Sequence, residues 1–262
     1  MAPRLLYSDR LTIVSECYAG EARILDIGSG PGVLLTRFVE ANAETSGVAV
    51  DLASSLTTIR HPRITPVPFD LRGLFANAQL PLPDASFDLV MATEVLEHMM
   101  YPEMILAEAY RLLKPDGKLL ITVPNVASLE KRASLLLGSG RDTLGICGIV
   151  YEHANDHIRW FTFHALKHLL EQTGFEVIQR RAADFPLKIN RIGAGRILCA
   201  IIPSLAEKII VKARKLPVKH YTVQMYACPL HQRGMPIHLD NCCADPLPHE
   251  PICQQCRFVW TR

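Results

Sequence analysis

The feature that most restricts the fold is a succession of short apolar runs that alternates along the chain with helical patterns. ARILDIG (22–28), GVAVD (47–51), ITPVPFD (64–70), FDLVMAT (87–93) and GKLLITVP (117–124) have strand length and too few polar positions for a sheet with one wet face. Helical spacing in Gly32 to Ala41 and in Glu103 to Leu113 falls between them, as parallel strands require, because a parallel pair cannot be joined by a tight hairpin. The expected fold class is α/β: a doubly wound, mainly parallel sheet with a helical insertion and a Cys-rich C-terminal tail. The expected organisation is an N-terminal helix in 1–20, a ligand-binding domain in 21–184 with a lid-like insertion at 125–160, and a basic amphipathic helical segment at 185–220. A candidate last strand at 221–227 and a Cys/His-rich tail at 228–262 complete the chain.

In an open parallel sheet, ligands lie beyond the carboxyl ends of the strands. After the first strand comes D-I-G-S-G-P-G, from Asp26 through Gly28, Ser29 and Gly30 to Gly32. Its glycines let the backbone turn tightly and approach a ligand at a helix N-terminus. A nicotinamide-binding turn needs Gly or Ala where Val33 stands, and Asp26 would repel a pyrophosphate, so the nicotinamide-dependent oxidoreductase reading is disfavoured. A carboxylate there suits an ammonium or a sulfonium, which describes S-adenosylmethionine. Asp51 ends the second run about 20 residues beyond the glycines, where an acid can accept both ribose hydroxyls. Asp70 ends the third and can accept from an adenine amino group, while Leu52 and Leu71 offer apolar surface for the ring.

These segments together resemble the class I S-adenosylmethionine-dependent methyltransferases over about residues 20 to 182. ILDIGSGPG is similar to that family's first motif, VAVDL to the second and VPFDL to the adenine motif. LPLPDASFDLVMATEVLEH and AYRLLKPDGKLLITVPN are similar to the fourth- and fifth-strand blocks. VPNVASL followed by DHIRWFTFHALKHLLEQTGFEVI resembles a subgroup associated with quinone, lipid or surface-glycan pathways. The resemblance implies a Rossmann-like fold with Asp26, Gly28, Gly30 and Gly32 on the methionine part of the cofactor, Asp51 on the ribose, and Asp70 with Leu71 on the adenine. Ala92 and Thr93 would lie beside the methionine end. It also implies methyl transfer to a small or amphipathic acceptor, more often at oxygen. The alternative within the same cofactor chemistry is a non-catalytic binding partner of a membrane enzyme.

An oxygen nucleophile needs a base for its proton, and histidine is the side chain whose pKa suits that role near neutrality. His157, in DHIRWFT, is the first candidate and His98 the second, with Arg159 placed to bind an anionic group of the acceptor. A structural role for His157 and Arg159, bracing the insertion against the next helix, competes with this reading. Glu94, Glu97 and His98 stand at i, i+3 and i+4, so one helical face could present them to a metal ion; capping acids are the plainer alternative.

Charge is unevenly distributed. The formal total is +2, but residues 1–184 hold 17 Lys/Arg against 22 Asp/Glu, and residues 185–220 hold 8 against Glu207 alone. The near-neutral total excludes a dedicated nucleic-acid binder. The basic, isoleucine-rich segment suggests contact with an anionic membrane surface or with a lipid-like acceptor; an ordinary helical hairpin has the same composition. The N-terminal apolar positions are broken by Asp9, Arg10 and Glu16, which is not a signal-peptide pattern, so a cytoplasmic location is expected. Cys228 with His231 and Cys253 with Cys256 form two ligand pairs that could close a zinc site, against the alternative of a loose Pro-rich extension.

Overall fold

The computed structural model describes residues 9–76, 79–138, 157–185 and 195–217. Seven strands form one sheet: β1 (Arg23–Ile27), β2 (Ser46–Asp51), β3 (Ile64–Pro68), β4 (Phe87–Thr93), β5 (Leu113–Pro124), β6 (Phe175–Ala183) and β7 (Lys208–Lys215). Their order is β3-β2-β1-β4-β5-β7-β6. The pairings among β1 to β5 are parallel, while β7 runs antiparallel to both β5 and β6. The helices are α1 (Arg10–Ser15), α2 (Val33–Ala41), α3 (Pro102–Leu112), α4 (Leu129–Leu136), α5 (Phe163–Gln172) and α6 (Gly195–Ile201).

Alternation along the strands divides the interior into two layers, because successive side chains leave opposite faces of a sheet. Leu25, Ile27, Val48, Val50, Val90, Leu119 and Ile121 pack with Ile105, Leu106 and Leu112 of α3 and Leu166 and Leu170 of α5. Ile24, Ala49, Leu89, Met91 and Leu120 meet Ile13 and Val14 of α1 and Leu34, Leu35, Phe38 and Val39 of α2. With both faces covered, the central strands carry the continuous apolar runs that the sequence shows. Strand order reverses between β1 and β4, so the loops after these two strands diverge and leave the crevice in which such sheets bind ligands.

The basic segment departs from the helical expectation. Only Gly195–Ile201 of the described part is α-helical; the cationic stretch KIIVKARK is β7, inserted between two neighbours and buried through Ile209 to Ala213. The run of β-branched residues favours this extended form. Its cations are used inside the fold. Lys212 Nζ donates to Glu21 Oε1 at 2.7 Å and to the Cys17 carbonyl at 2.6 Å, Arg214 pairs with Glu176 at 2.5 Å, and Lys208 pairs with Glu94. Part of the basic excess therefore neutralises acids in and beside the same sheet. The last strand of the described sheet is at 208–215; the stretch 221–227, the tail with Cys228, His231, Cys253 and Cys256, and most of the 125–160 insertion beyond α4 lie outside the described residues. Among the described residues no helix is long and apolar enough to cross a membrane.

Candidate active site

The glycine loop between β1 and α2 is built from three left-handed residues: Gly28, Gly30 and Gly32 have φ of 71°, 52° and 73°. Gly28 is also restricted by space, since a Cβ there would stand 2.5 Å from Cγ2 of the buried, β-branched Val95; one on Gly32 would stand 2.9 Å from Ile59 Cδ1, the end of a side chain that can turn aside. A Cβ on Gly30 would meet no atom within 4 Å, so this residue lies against open space where a ligand can approach the backbone. Gly28 and Ser29 N–H donate to the Val50 carbonyl at 2.8 and 3.1 Å. The Asp51 carboxylate accepts from Gly30 N–H at 2.8 Å and Leu52 N–H at 2.7 Å. Asp51 thus fastens the loop to the end of β2 and retains lone pairs for further donors, because each carboxylate oxygen can accept more than one.

Asp26 is 1% exposed and its Oδ1 has no hydrogen-bond partner among the described residues. Burial, and then the nearby Asp51 charge, push its carboxyl up to about 8. A buried carboxyl oxygen without a partner, beside open glycine backbone, fits a ligand that brings positive charge, and a cofactor carrying a sulfonium and an ammonium does so. Ala92 is fully buried in β4, and Thr93 is the last residue of that strand, on the same edge of the sheet. Asp70 sits two residues beyond β3 and is exposed. Arg72 holds it in a two-pronged ion pair, Nη2 to Oδ2 at 2.6 Å and Nε to Oδ1 at 2.9 Å, keeping the carboxyl below its ordinary range. Leu52 is exposed and Leu71 half-buried at this rim.

The other half of the site follows β4. The expected helical face of Glu94, Glu97 and His98 is absent, because Glu94 has φ of 57° and the next turn, Leu96–His98, is a single 3₁₀ turn. This sends Glu94 away from the other two, while Glu97 and His98 stay near each other. Glu94 accepts from Thr122 Oγ1 at 2.9 Å and pairs with Lys208 and, at 3.5 Å, with Arg10. Glu97 instead points into a buried place where neither carboxylate oxygen has a hydrogen-bond partner among the described residues. Burial, with Glu94 adding to it, raises that carboxyl to about 7.

His157 arrives at the same place from far along the chain. Ile158 and Arg159 N–H both donate to the Glu97 carbonyl, at 2.8 and 3.0 Å, and Asn125 bridges to Phe161 beside the end of β5. Thr162 then caps α5 by accepting from Ala165 N–H. The result sets His157 Nε2 4.0 Å from Glu97 Oε1 and its ring edge-on to His98, with 4.8 Å between centroids. Desolvation, followed by the charges of His98 and Lys208, lowers the His157 pKa. One ligand atom from each of Glu97, His98 and His157 lies within 4.8 Å of the others. Arg159, expected on an acceptor anion, has its guanidinium on the Met100 carbonyl, with Nε at 3.0 Å, which is a bracing contact.

The family described as "Methyltransferase domain" matches residues 5–180 by its sequence profile. The chain belongs to the class I S-adenosylmethionine-dependent methyltransferases. This methyltransferase is 32% identical over 149 residues to the 27-O-demethylrifamycin SV methyltransferase of Amycolatopsis mediterranei (strain S699), covering 54% of each chain. It is 36% identical over 101 residues to the ubiquinone/menaquinone biosynthesis C-methyltransferase of Laribacter hongkongensis (strain HLHK9), covering 38% of this chain and 41% of that one. The match thus spans about half, or less, of the length of these relatives. In fold it resembles the S-adenosylmethionine-dependent methyltransferase of Mesorhizobium loti, with a TM-score of 0.53 at 16% identity over 78% of this chain and 96% of the other. S-adenosylmethionine is the methyltransferase's cofactor.

Sequence reasoning did not find the approach of His157 to Glu97 in this methyltransferase. The weak signal was an acid set between the buried Leu96 and Met99.

Proposed function

We propose that the methyltransferase transfers the methyl group to an oxygen of a small or amphipathic acceptor, with His157 receiving the acceptor's proton. The carrying observation is the placement of His157 against Glu97 and His98, just after β4, on the sheet edge that also holds the glycine loop. Bound S-adenosylmethionine supplies a methyl already activated by its sulfonium: the C–O bond forms as the carbon–sulfur bond breaks, and S-adenosylhomocysteine leaves.

The chain's own residues hold the reactants and manage the proton. Positioning is the larger contribution, roughly 7 to 11 kcal/mol of a barrier in well-oriented reactions. The glycine loop and Asp51 supply rigid backbone; Asp26 supplies compensation for positive charge. His157, kept neutral by its lowered pKa, has a nitrogen lone pair for the acceptor's O–H proton, which later passes to water. The relatives are named for both O- and C-methylation, so the oxygen assignment rests on the histidine and the motif likeness. The apolar side chains exposed at the end of α4, Leu135, Leu136 and Leu137, favour an acceptor with a greasy part.

The test is release of S-adenosylhomocysteine on a panel of phenols, quinone precursors and sugars. Turnover is expected on at least one hydroxyl acceptor, and His157→Asn should lower kcat about 10²- to 10⁴-fold without weakening S-adenosylmethionine binding. An unaltered kcat in that variant would remove His157 as the base, and product methylated at carbon would remove the oxygen assignment.

A further inference from the structure

Glu97 has no use in the chemistry described so far, yet its environment is costly. Its side chain is 1% exposed, and neither oxygen accepts a hydrogen bond among the described residues. A buried polar group without a partner is expensive, and the great majority of such groups are satisfied. His157 Nε2 faces the carboxylate at 4.0 Å. That distance is too long for a hydrogen bond, but about 1 Å of closure would make it one, and such contacts in ligand-free sites often tighten when the site fills.

The backbone fixes this approach. The carbonyl of the same Glu97 accepts from Ile158 and Arg159, so the residue that offers the carboxylate also anchors the segment that carries the imidazole. Arg159 adds a second tie to the Met100 carbonyl. The other charged groups around the pair have their own positions: Glu94 is engaged by Thr122, Lys208 and Arg10; His98 stands edge-on to His157; and Lys131 of α4 acts on His157 through its charge.

We propose that Glu97 is a positioning residue for His157, its carboxylate accepting Nε2–H so that Nδ1 is the lone-pair nitrogen. This inference rests on the reading of His157 as the base and deepens it. When the acceptor's O–H bond breaks, the proton goes to Nδ1. The imidazolium formed is then stabilised by a carboxylate that water does not screen. Glu97 touches neither acceptor nor cofactor in this scheme, and it acts by holding one nitrogen of the ring.

The pair has a spectroscopic signature that does not need the acceptor. In the full chain, uniformly 15N-labelled and loaded with S-adenosylhomocysteine, an imidazole N–H held by a buried carboxylate gives a downfield, slowly exchanging proton resonance. It is assigned to His157 by its disappearance in His157→Asn. The expected result is that Glu97→Gln, nearly isosteric, removes the resonance or moves it markedly upfield, while calorimetry with S-adenosylhomocysteine gives an unchanged affinity and shows that the site is folded. A resonance that is missing from the wild type, or indifferent to Glu97→Gln, overturns the pairing and leaves His157 as the base. If instead the resonance depends on Glu97 but His157→Asn retains full turnover on the hydroxyl panel, the contact stands and the base reading falls. Titration with zinc or magnesium chloride is the last arm. Stoichiometric binding that is lost in Glu97→Gln and quenches the resonance would make Glu97, His98 and His157 a cation site and overturn the proposal.

Discussion

Replacing Asp26 by Asn separates what this position does for the fold from what it does for the cofactor. In the folded chain the carboxyl is pushed from 3.8 to about 8, so at pH 7 it is held protonated, whereas the unfolded chain ionises it. The fold therefore gives up the free energy of ionisation across the roughly 3 pH units between 3.8 and 7. At about 1.36 kcal/mol per unit this is roughly 4 kcal/mol as an upper limit. The direction follows from proton uptake: between pH 4 and 8 the folded state binds more protons than the unfolded one, so this group makes wild-type stability fall as pH rises. The amide that replaces it does not titrate. The Asp26→Asn protein is thus expected to match the wild type near pH 4 and to exceed it increasingly up to pH 8, with no further divergence above. Urea unfolding at pH 4.5, 6 and 7.5, each without ligand, measures the gap. At pH 7.5 the same variant is expected to bind S-adenosylmethionine roughly 10- to 100-fold more weakly, the loss of one charged hydrogen bond, by calorimetry. A stability gap independent of pH would refute the reasoning, as would unimpaired cofactor binding. Stability gained together with binding lost is the usual exchange at a site kept for a ligand.

The same logic applies elsewhere with opposite sign. Lys212→Met is expected to cost about 3 to 5 kcal/mol of unfolding free energy, because it leaves Glu21 buried without its main partner, and Lys212→Met with Glu21→Gln should recover part of the loss. Equal urea midpoints for wild type and the single variant would show that the pair is idle. Gly28→Ala should weaken both folding and cofactor binding, since it combines a left-handed backbone with a 2.5 Å approach to Val95; the variant Gly28→Ala with Val95→Ala, measured by thermal unfolding, should relieve only the steric part. For the basic segment, co-sedimentation with anionic vesicles that high salt reverses is the expected outcome of a surface contact. No pelleting at low salt would retire the membrane reading, which the internal pairing of Lys208, Lys212 and Arg214 already weakens.

How much was legible in the sequence depended on how locally each feature is specified. The glycine loop needs only its own residues and the ends of the neighbouring strands, so Asp26, Gly28, Gly30 and Asp51 could be placed from their spacing. The parallel strands could be recognised because burial on both faces leaves them nearly free of polar residues. KIIVKARK defeated the same reasoning. Its lysines look like the wet face of a helix unless the acids that receive them are known, and Glu21, Glu94 and Glu176 are distant in sequence. The Glu97 and His157 contact is of the same kind, since it is created by an irregular segment that returns beside β5. Asp70 could be placed just after β3, but its ion pair with Arg72 could not, because a cation two residues away need not pair.

The placement of β7 bears on how the chain is made. Although it follows β6 in sequence, it lies between β5 and β6, so neither of those strands can pair with its final neighbour until residue 215 has left the ribosome. Until then the β5 edge, from Lys118 to Pro124, offers a row of unpaired amides and carbonyls to any passing strand. A chain ending near residue 185 would contain the glycine loop and both histidines of the site and still present that adhesive edge. Synthesis of the segment that carries α6 and β7 is therefore the step that covers the β5 edge and leaves β6, not β5, at the border of the sheet.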